Sequence, residues 1–337
     1  MSLRRRARAQ PGAPSDEELL RLTDEDRRYM TTKHDESVPL PPGAEAQLRP
    51  DNPRLVELRE AYARLDLPAL RASRWHAAAV DDFLSLRWFR GETLITWHDR
   101  ELPRISRLKY LLLLRHVAAR DERGLLERLG EDGAFGCWTF EYPGEPRVSR
   151  DLLESVVELT FLERELGLSR RERLRVLDVG AGYGRLAHRA AQAYDNLADW
   201  CCVDAIPEST FLAEWYLGFR GVCPPARVVG LDRIGELAPG DFDLAVNVHS
   251  FSECTHEAVA WWVSRLAHLR VPALLVVPND GERLLTQEPD FSRRDFAPLL
   301  ERAGYRRTRL EPVIDDPAVA ELVPMGSDRF HLFALEG

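Results

Sequence analysis

The chain has 337 residues, 45% of them hydrophobic and 30% charged, the balance of a globular protein of about two domains. That composition excludes collagenous, largely disordered and polytopic membrane classes, and no apolar run approaches the roughly 20 residues of a membrane span. The formal net charge of -9 would repel a phosphate backbone, so neither nucleic acid nor a membrane is expected as a partner.

Residues 1–15 read as a disordered leader: arginines, then Pro, Gly and Ala, with no apolar stretch of the kind a secretory signal needs. Residues 16–150 read as a helical region, expected to serve as a substrate-side or lid element. Ser15 before Asp16, Glu17 and Glu18 is an N-cap followed by first-turn acids. Asn52-Pro53 opens another helix, with Leu55, Leu58, Tyr62 and Leu65 on one face. Residues 88–97 alternate like a hairpin or loop, 104–129 read as helical, and 133–146 read as a junction. Residues 151–163 form an amphipathic helix through Leu152, Val156, Leu159 and Leu162.

From residue 174 the pattern changes. Apolar runs at 174–179, 200–203, 227–229, 244–248 and 273–277 alternate with helical stretches at 184–194, 208–219, 255–269 and 292–303. Such alternation means βαβ units and a parallel sheet covered on both faces. Residues 305–311 and 330–335 lack a comparable helix between them and are expected as an antiparallel pair at the edge. The fold class is therefore α/β: a doubly wound, mostly parallel, seven-stranded sheet over 151–337, preceded by the helical region. The cysteines Cys137, Cys201, Cys202, Cys223 and Cys254 lack metal-ligand spacing and read as reduced thiols of a cytoplasmic protein.

The first apolar run, with Asp178 inside it, passes into Gly180-Ala181-Gly182-Tyr183-Gly184 and then a helix. Alternate glycines let the backbone turn sharply and approach a ligand, and the helix start offers free N–H groups. Arginine at 185, where a dinucleotide fingerprint wants its third glycine, argues against a nicotinamide cofactor, and no P-loop is present. The next strand ends at Asp204-Ala205, where a carboxylate can accept both hydroxyls of a ribose. Loop, acid and strand–helix order together resemble the class I S-adenosylmethionine-dependent methyltransferases. The resemblance implies S-adenosylmethionine as cofactor and S-adenosylhomocysteine as product. Asp178, the residues 180–184, Asp204, Ala205 and Asn247 would be the cofactor-binding set. Asp178 would meet the cofactor's ammonium or, alternatively, a loop N–H.

The fourth strand ends in Asn247-Val248-His249-Ser250-Phe251-Ser252-Glu253. His249 there is a candidate general base and Glu253 a residue that orients it or holds the acceptor; the alternative is a helix cap and a first-turn acid. Asn279 and Asp280 after the fifth strand are candidate substrate contacts. They are also the place where some O-methyltransferases put magnesium ligands, but the set is incomplete here, so no metal is expected to be required, with magnesium at Asp280 as the alternative. The segments 133–140 and 148–158, with 247–253, are similar to the bacterial sugar O-methyltransferases. By that likeness Asp151, Ser155 and Glu158 would line the entrance beside the cofactor, and the acceptor would be a sugar or glycosylated metabolite, as in bacterial secondary metabolism. Trp88, Phe89, Trp97 and His98 could stack on a sugar ring or simply pack between helices and sheet. The expected activity is O-methyl transfer to a small-molecule acceptor. N-methylation and a non-catalytic cofactor-binding module are the rivals, and a homodimer is left open.

Overall fold

The computed structural model describes residues 15–19, 21, 24–71, 74–92, 103–279 and 281–336. Residues 1–14 of the expected leader, and Trp97, His98 and Asp280, lie outside them. Ser15 caps Asp16–Leu19 by accepting the Glu18 N–H, while Glu18 reaches back to the Ser15 N–H. Helix α1, Pro53–Ala63, starts at Asn52, whose side chain accepts the Arg54 N–H, and it buries Leu55, Leu58 and Tyr62. The stretch expected as one helix over 104–129 is α2, Pro103–Ala118, and a separate turn at Leu125–Leu129. The break is local chemistry: the Asp121 carboxylate accepts the Leu125 and Leu126 N–H groups, and Gly124 is left-handed with φ 63°. Helix α3, Arg150–Leu166, is capped by Ser149 and buries Leu152, Val156, Leu159 and Leu162.

The strands are β1 (Leu174–Val179), β2 (Leu197–Val203), β3 (Ala226–Val228), β4 (Leu244–Val248), β5 (Ala273–Val277), β6 (Leu285–Gln287), β7 (Arg293–Asp295), β8 (Tyr305–Pro312) and β9 (Arg329–Leu335). Seven of them form one sheet in the order β3-β2-β1-β4-β5-β9-β8. The first five pair in parallel; β9 runs antiparallel to β5, and β8 antiparallel to β9. This is the doubly wound, mostly parallel sheet that the alternating pattern predicts. Its helices are α4 (Arg185–Ala193), α5 (Pro207–Phe219), α6 (His256–His268) and α7 (Ala297–Arg302). All five residues of β5 are buried, as a strand covered on both faces requires, whereas β8 exposes Arg306, Arg307 and Arg309 at the open edge.

A second expected helix also fails. Residues 292–303 do not form a single helix: β6 and β7 make a separate hairpin, and Asp295 then caps the Ala297 N–H to start α7. The strand Arg293–Asp295 is wholly exposed and charged, so no apolar alternation marked it.

Chain order reverses between β1 and β4, which leaves a crevice at the carboxyl ends of these strands. The helical N-terminal part closes on it through α1. Arg54 pairs with Glu214 and Arg59 with Glu208, both on α5. The buried Tyr62 hydroxyl lies 3.1 Å from the Asp204 carbonyl oxygen and 2.9 Å from Thr210 Oγ1, and it accepts the Leu231 N–H.

Candidate functional site

A cavity of about 230 Å³ opens at this switch point, walled by Gly180 and Gly182 after β1, Asp204 and Ala205 after β2, and His249 and Glu253 after β4. A larger cavity of about 450 Å³ lies elsewhere, between α2, α3 and β8–β9, and shares none of these residues. The crevice is the relevant one, because strand ends at a switch point converge there.

The glycine loop is built as its sequence requires. Gly180 has φ 74°, and a Cβ there would fall 2.1 Å from Ser250 Oγ. Gly182 has φ 57°, and a Cβ there would meet nothing within 4 Å. The first glycine is thus imposed by the protein's own packing. The second leaves open space on the cavity side. Asp204 ties the loop to β2: its Oδ2 accepts the Gly182 N–H at 2.9 Å and its Oδ1 the Ile206 N–H at 2.9 Å. Burial pushes its carboxyl up to about 6, against these backbone bonds.

Asp178 does not line the cavity. Its Oδ2 accepts the indole N–H of Trp200 at 3.1 Å from β2, a partner that is neither an ammonium nor a loop N–H. Burial pushes the Asp178 carboxyl up to about 7. The folded state therefore holds this proton more tightly than the unfolded chain, and its contribution to stability falls as pH rises from about 4 to about 7. Asp178→Asn keeps an acceptor for Trp200 and carries no charge. The variant is expected to be more stable than wild type at pH 8, by on the order of a few kcal/mol at most, with the gain vanishing near pH 4. Urea melts at the two pH values check this; an equal difference at both would refute it.

Asn247 is fully buried and also faces the protein. Its Nδ2 donates to the Val179 carbonyl and its Oδ1 accepts the Phe251 N–H, so it joins the ends of β1 and β4 and holds the turn that follows.

The three residues expected at an entrance are instead locked under the loop. Asp151 receives Arg90 at 3.2 Å, Arg189 at 3.4 Å and the Tyr183 hydroxyl. Burial alone would raise its carboxyl, but Arg90, Arg189 and Arg185 outweigh burial and hold it well below the usual range. Ser155 donates to the Asp151 carbonyl and accepts from Arg185. Glu158 accepts from Arg185 at 2.8 Å; its Oε2 is buried without a partner, and burial pushes its carboxyl up. Arg185 is thus explained: it anchors the start of α4 to α3. These residues support Tyr183 and the loop, and none lines the cavity.

At the end of β4, His249 takes φ 65° and ψ −32°, an unusual conformation for a non-glycine residue. It makes no side-chain cap to the following turn. Its Nε2 instead meets Asp328 Oδ2 at 3.0 Å. Burial alone would lower its pKa; the Asp328 hydrogen bond and charge outweigh burial and raise it. Glu253 is tied to other groups. It accepts the Trp75 indole N–H at 2.6 Å and receives Arg74 and Asn279, binding the 74–75 segment to the cavity rim. Asn279 contacts Ser252 and Glu253 rather than the cavity. Among the described residues no cluster of three or more His, Cys, Asp or Glu is placed to hold a metal ion, and no helix is long and apolar enough to cross a membrane.

A second cavity of about 310 Å³ shares Trp75, Leu84 and Phe89 with the first and adds Phe83, Trp88, Asp81 and Asp82. Phe89 also packs on Phe135 and Tyr183, and Trp88 stacks on His34 at 5.4 Å.

No protein-family model and no curated protein matches the sequence. Among solved structures the chain is similar to an S-adenosylmethionine-dependent methyltransferase from Leishmania major at 16% identity, over 54% of this chain and 71% of that one, with a TM-score of 0.41. It is similar to such a methyltransferase from Aquifex aeolicus at 20% identity, over 55% and 93%, with a TM-score of 0.41. It is also similar to the mitomycin 7-O-methyltransferase MmcR at 18% identity, over 69% and 70%, with a TM-score of 0.38. The fold assignment rests on the strand order and registers themselves.

Proposed function

We propose that the chain is an S-adenosylmethionine-dependent O-methyltransferase acting on a hydroxyl of a sugar or glycosylated small metabolite. The observation that carries this reading is the crevice itself: a glycine loop with open space at Gly182 and a buried, loop-tied Asp204 on one side, and an imidazole at the end of β4 on the other. The donor set fits the cofactor. Asp204 keeps lone pairs beyond its two backbone bonds and would accept ribose hydroxyls, while the loop 180–184 would border the methionine part. When bound, the cofactor supplies a methyl group on a positively charged sulfur.

The chain's part is to place and deprotonate the acceptor. The aromatic side chains Trp75, Phe83, Trp88 and Phe89 offer flat apolar faces, and Asp81 and Asp82 offer acceptors for hydroxyls, the combination that suits a polyhydroxylated ring. The second cavity shares Trp75, Leu84 and Phe89 with the first, so a ring seated there would lie beside the cavity that His249 lines. Neutral His249 would take the acceptor's hydroxyl proton as the oxygen gains the methyl and would pass it to solvent, while the bound cofactor would supply the methyl and keep the bond's electron pair on its sulfur. Holding the oxygen in line supplies most of the acceleration.

The test is methyl transfer from labelled S-adenosylmethionine to a panel of monosaccharides, glycosylated phenols and amines, read by mass spectrometry. Methylation at a sugar oxygen is the expected result. Methylation of amines alone would establish the N-methyltransferase instead, and cofactor binding with no product from any acceptor would establish a non-catalytic module.

A further inference from the structure

We propose that Asp328 is the positioning residue of His249, holding its imidazole with the proton on Nε2 and the lone pair of Nδ1 turned to the acceptor. This rests on the O-methyltransferase reading and assigns a role to a residue far along the chain from the glycine loop. The fold places the pair. β9 inserts antiparallel beside β5, which is itself the neighbour of β4, so the residue just before β9 arrives next to the residue just after β4.

Both partners are fixed by backbone bonds. His249 donates its N–H to the Val277 carbonyl at 2.7 Å, which holds its positive φ. Asp328 donates its N–H to the Met325 carbonyl at 3.1 Å and accepts the Val313 N–H at 3.0 Å, and its side chain is only 10% exposed. A carboxylate oxygen can only accept, so the 3.0 Å contact puts the proton on Nε2. His249 Nδ1 has no hydrogen-bond partner among the described residues and is not one of the sealed-in orphan atoms, and the ring forms part of the cavity wall. A held tautomer with one free nitrogen is what a base at this position needs.

Other charges face the ring. Glu154 and Glu158 approach from α3, and Glu253 from the turn after β4. They add to the effect of Asp328, while burial opposes it. Removing the Asp328 charge should therefore lower the His249 pKa without restoring the ordinary solvent environment.

The experiment is a nitrogen-15 histidine NMR titration of the full chain without cofactor, with the His249 signal assigned by its loss in His249→Asn. Wild type should show the Nε2–H tautomer and a midpoint above about 6.5. Asp328→Asn should lower the midpoint by about one unit or more. With an acceptor in hand, it should also lower kcat at least tenfold while leaving S-adenosylhomocysteine affinity unchanged. Asp328→Glu, which keeps the charge, should hold the raised midpoint and restore part of kcat. The same midpoint in wild type and Asp328→Asn, or an Nδ1–H tautomer in wild type, would overturn the proposal. Failure of S-adenosylhomocysteine to bind wild type would overturn the functional reading instead, and the titration distinguishes the two.

Discussion

Gly182→Val is expected to abolish S-adenosylhomocysteine binding while the protein stays folded. A Cβ at this position meets nothing within 4 Å, so the protein alone has room for it. The conformational penalty at φ 57° is roughly 1–2 kcal/mol, which a domain of this size tolerates. The valine branches would then fill the part of the cavity that the glycine leaves open beside Asp204. Gly180→Ala provides the contrast. Its Cβ would sit 2.1 Å from Ser250 Oγ and 2.4 Å from Ser250 Cβ, so the turn after β4 must move. Overpacking of this kind costs about 1–3 kcal/mol before any ligand is added. Circular dichroism melts and calorimetry separate the two: loss of binding with a near-normal melt for Gly182→Val, a lowered melting temperature for Gly180→Ala. Normal binding by Gly182→Val would show the loop to be a simple turn.

His249→Asn is expected to reduce kcat by about 10²–10⁴, the usual contribution of a general base, with cofactor affinity nearly unchanged. Asparagine adopts positive φ more readily than most residues, so the backbone at φ 65° is kept and the loss reports the imidazole. The pH dependence follows from the raised pKa. Neutral imidazole is the working form, so wild-type activity should rise with pH through a midpoint above the ordinary value of about 6.5. That limb should be absent in His249→Asn. A variant with full activity and an unchanged pH profile would leave deprotonation to solvent and favour an amine acceptor.

The sheet was readable because its buried strands are mostly apolar runs, followed by Gly180 after β1, Asp204 after β2, His249 after β4 and Pro278 after β5. β1, β4 and β5 begin and end where those runs do. β2 starts three residues earlier than its apolar run, because Asp199 near its outer end pairs with Arg227 in solvent. The hairpin of β6 and β7 carries no such signal. In the site, residues next to strand ends were legible: Gly180, Gly182, Asp204 and His249 all meet at one cavity. Their partners were not. Asp328 lies 79 residues from His249 and reaches it only through the β5–β9 pairing. Asp151, Ser155 and Glu158 read as an open polar face, yet Arg90 on one side and Arg185 and Arg189 of α4 on the other neutralise or bind them. Helical spacing shows which side of a helix is polar, but not whether arginines will cover it.

Calorimetric titration of S-adenosylhomocysteine into wild type and Asp204→Ala tests the central claim most directly. Wild type should bind saturably at one site. Asp204→Ala would lose the proposed ribose contacts and leave the Gly182 and Ile206 N–H groups without their acceptor. Each ribose hydroxyl left without its acceptor costs about 1–3 kcal/mol, so affinity should fall at least tenfold. No binding to wild type, or equal affinity in the two proteins, would contradict the account.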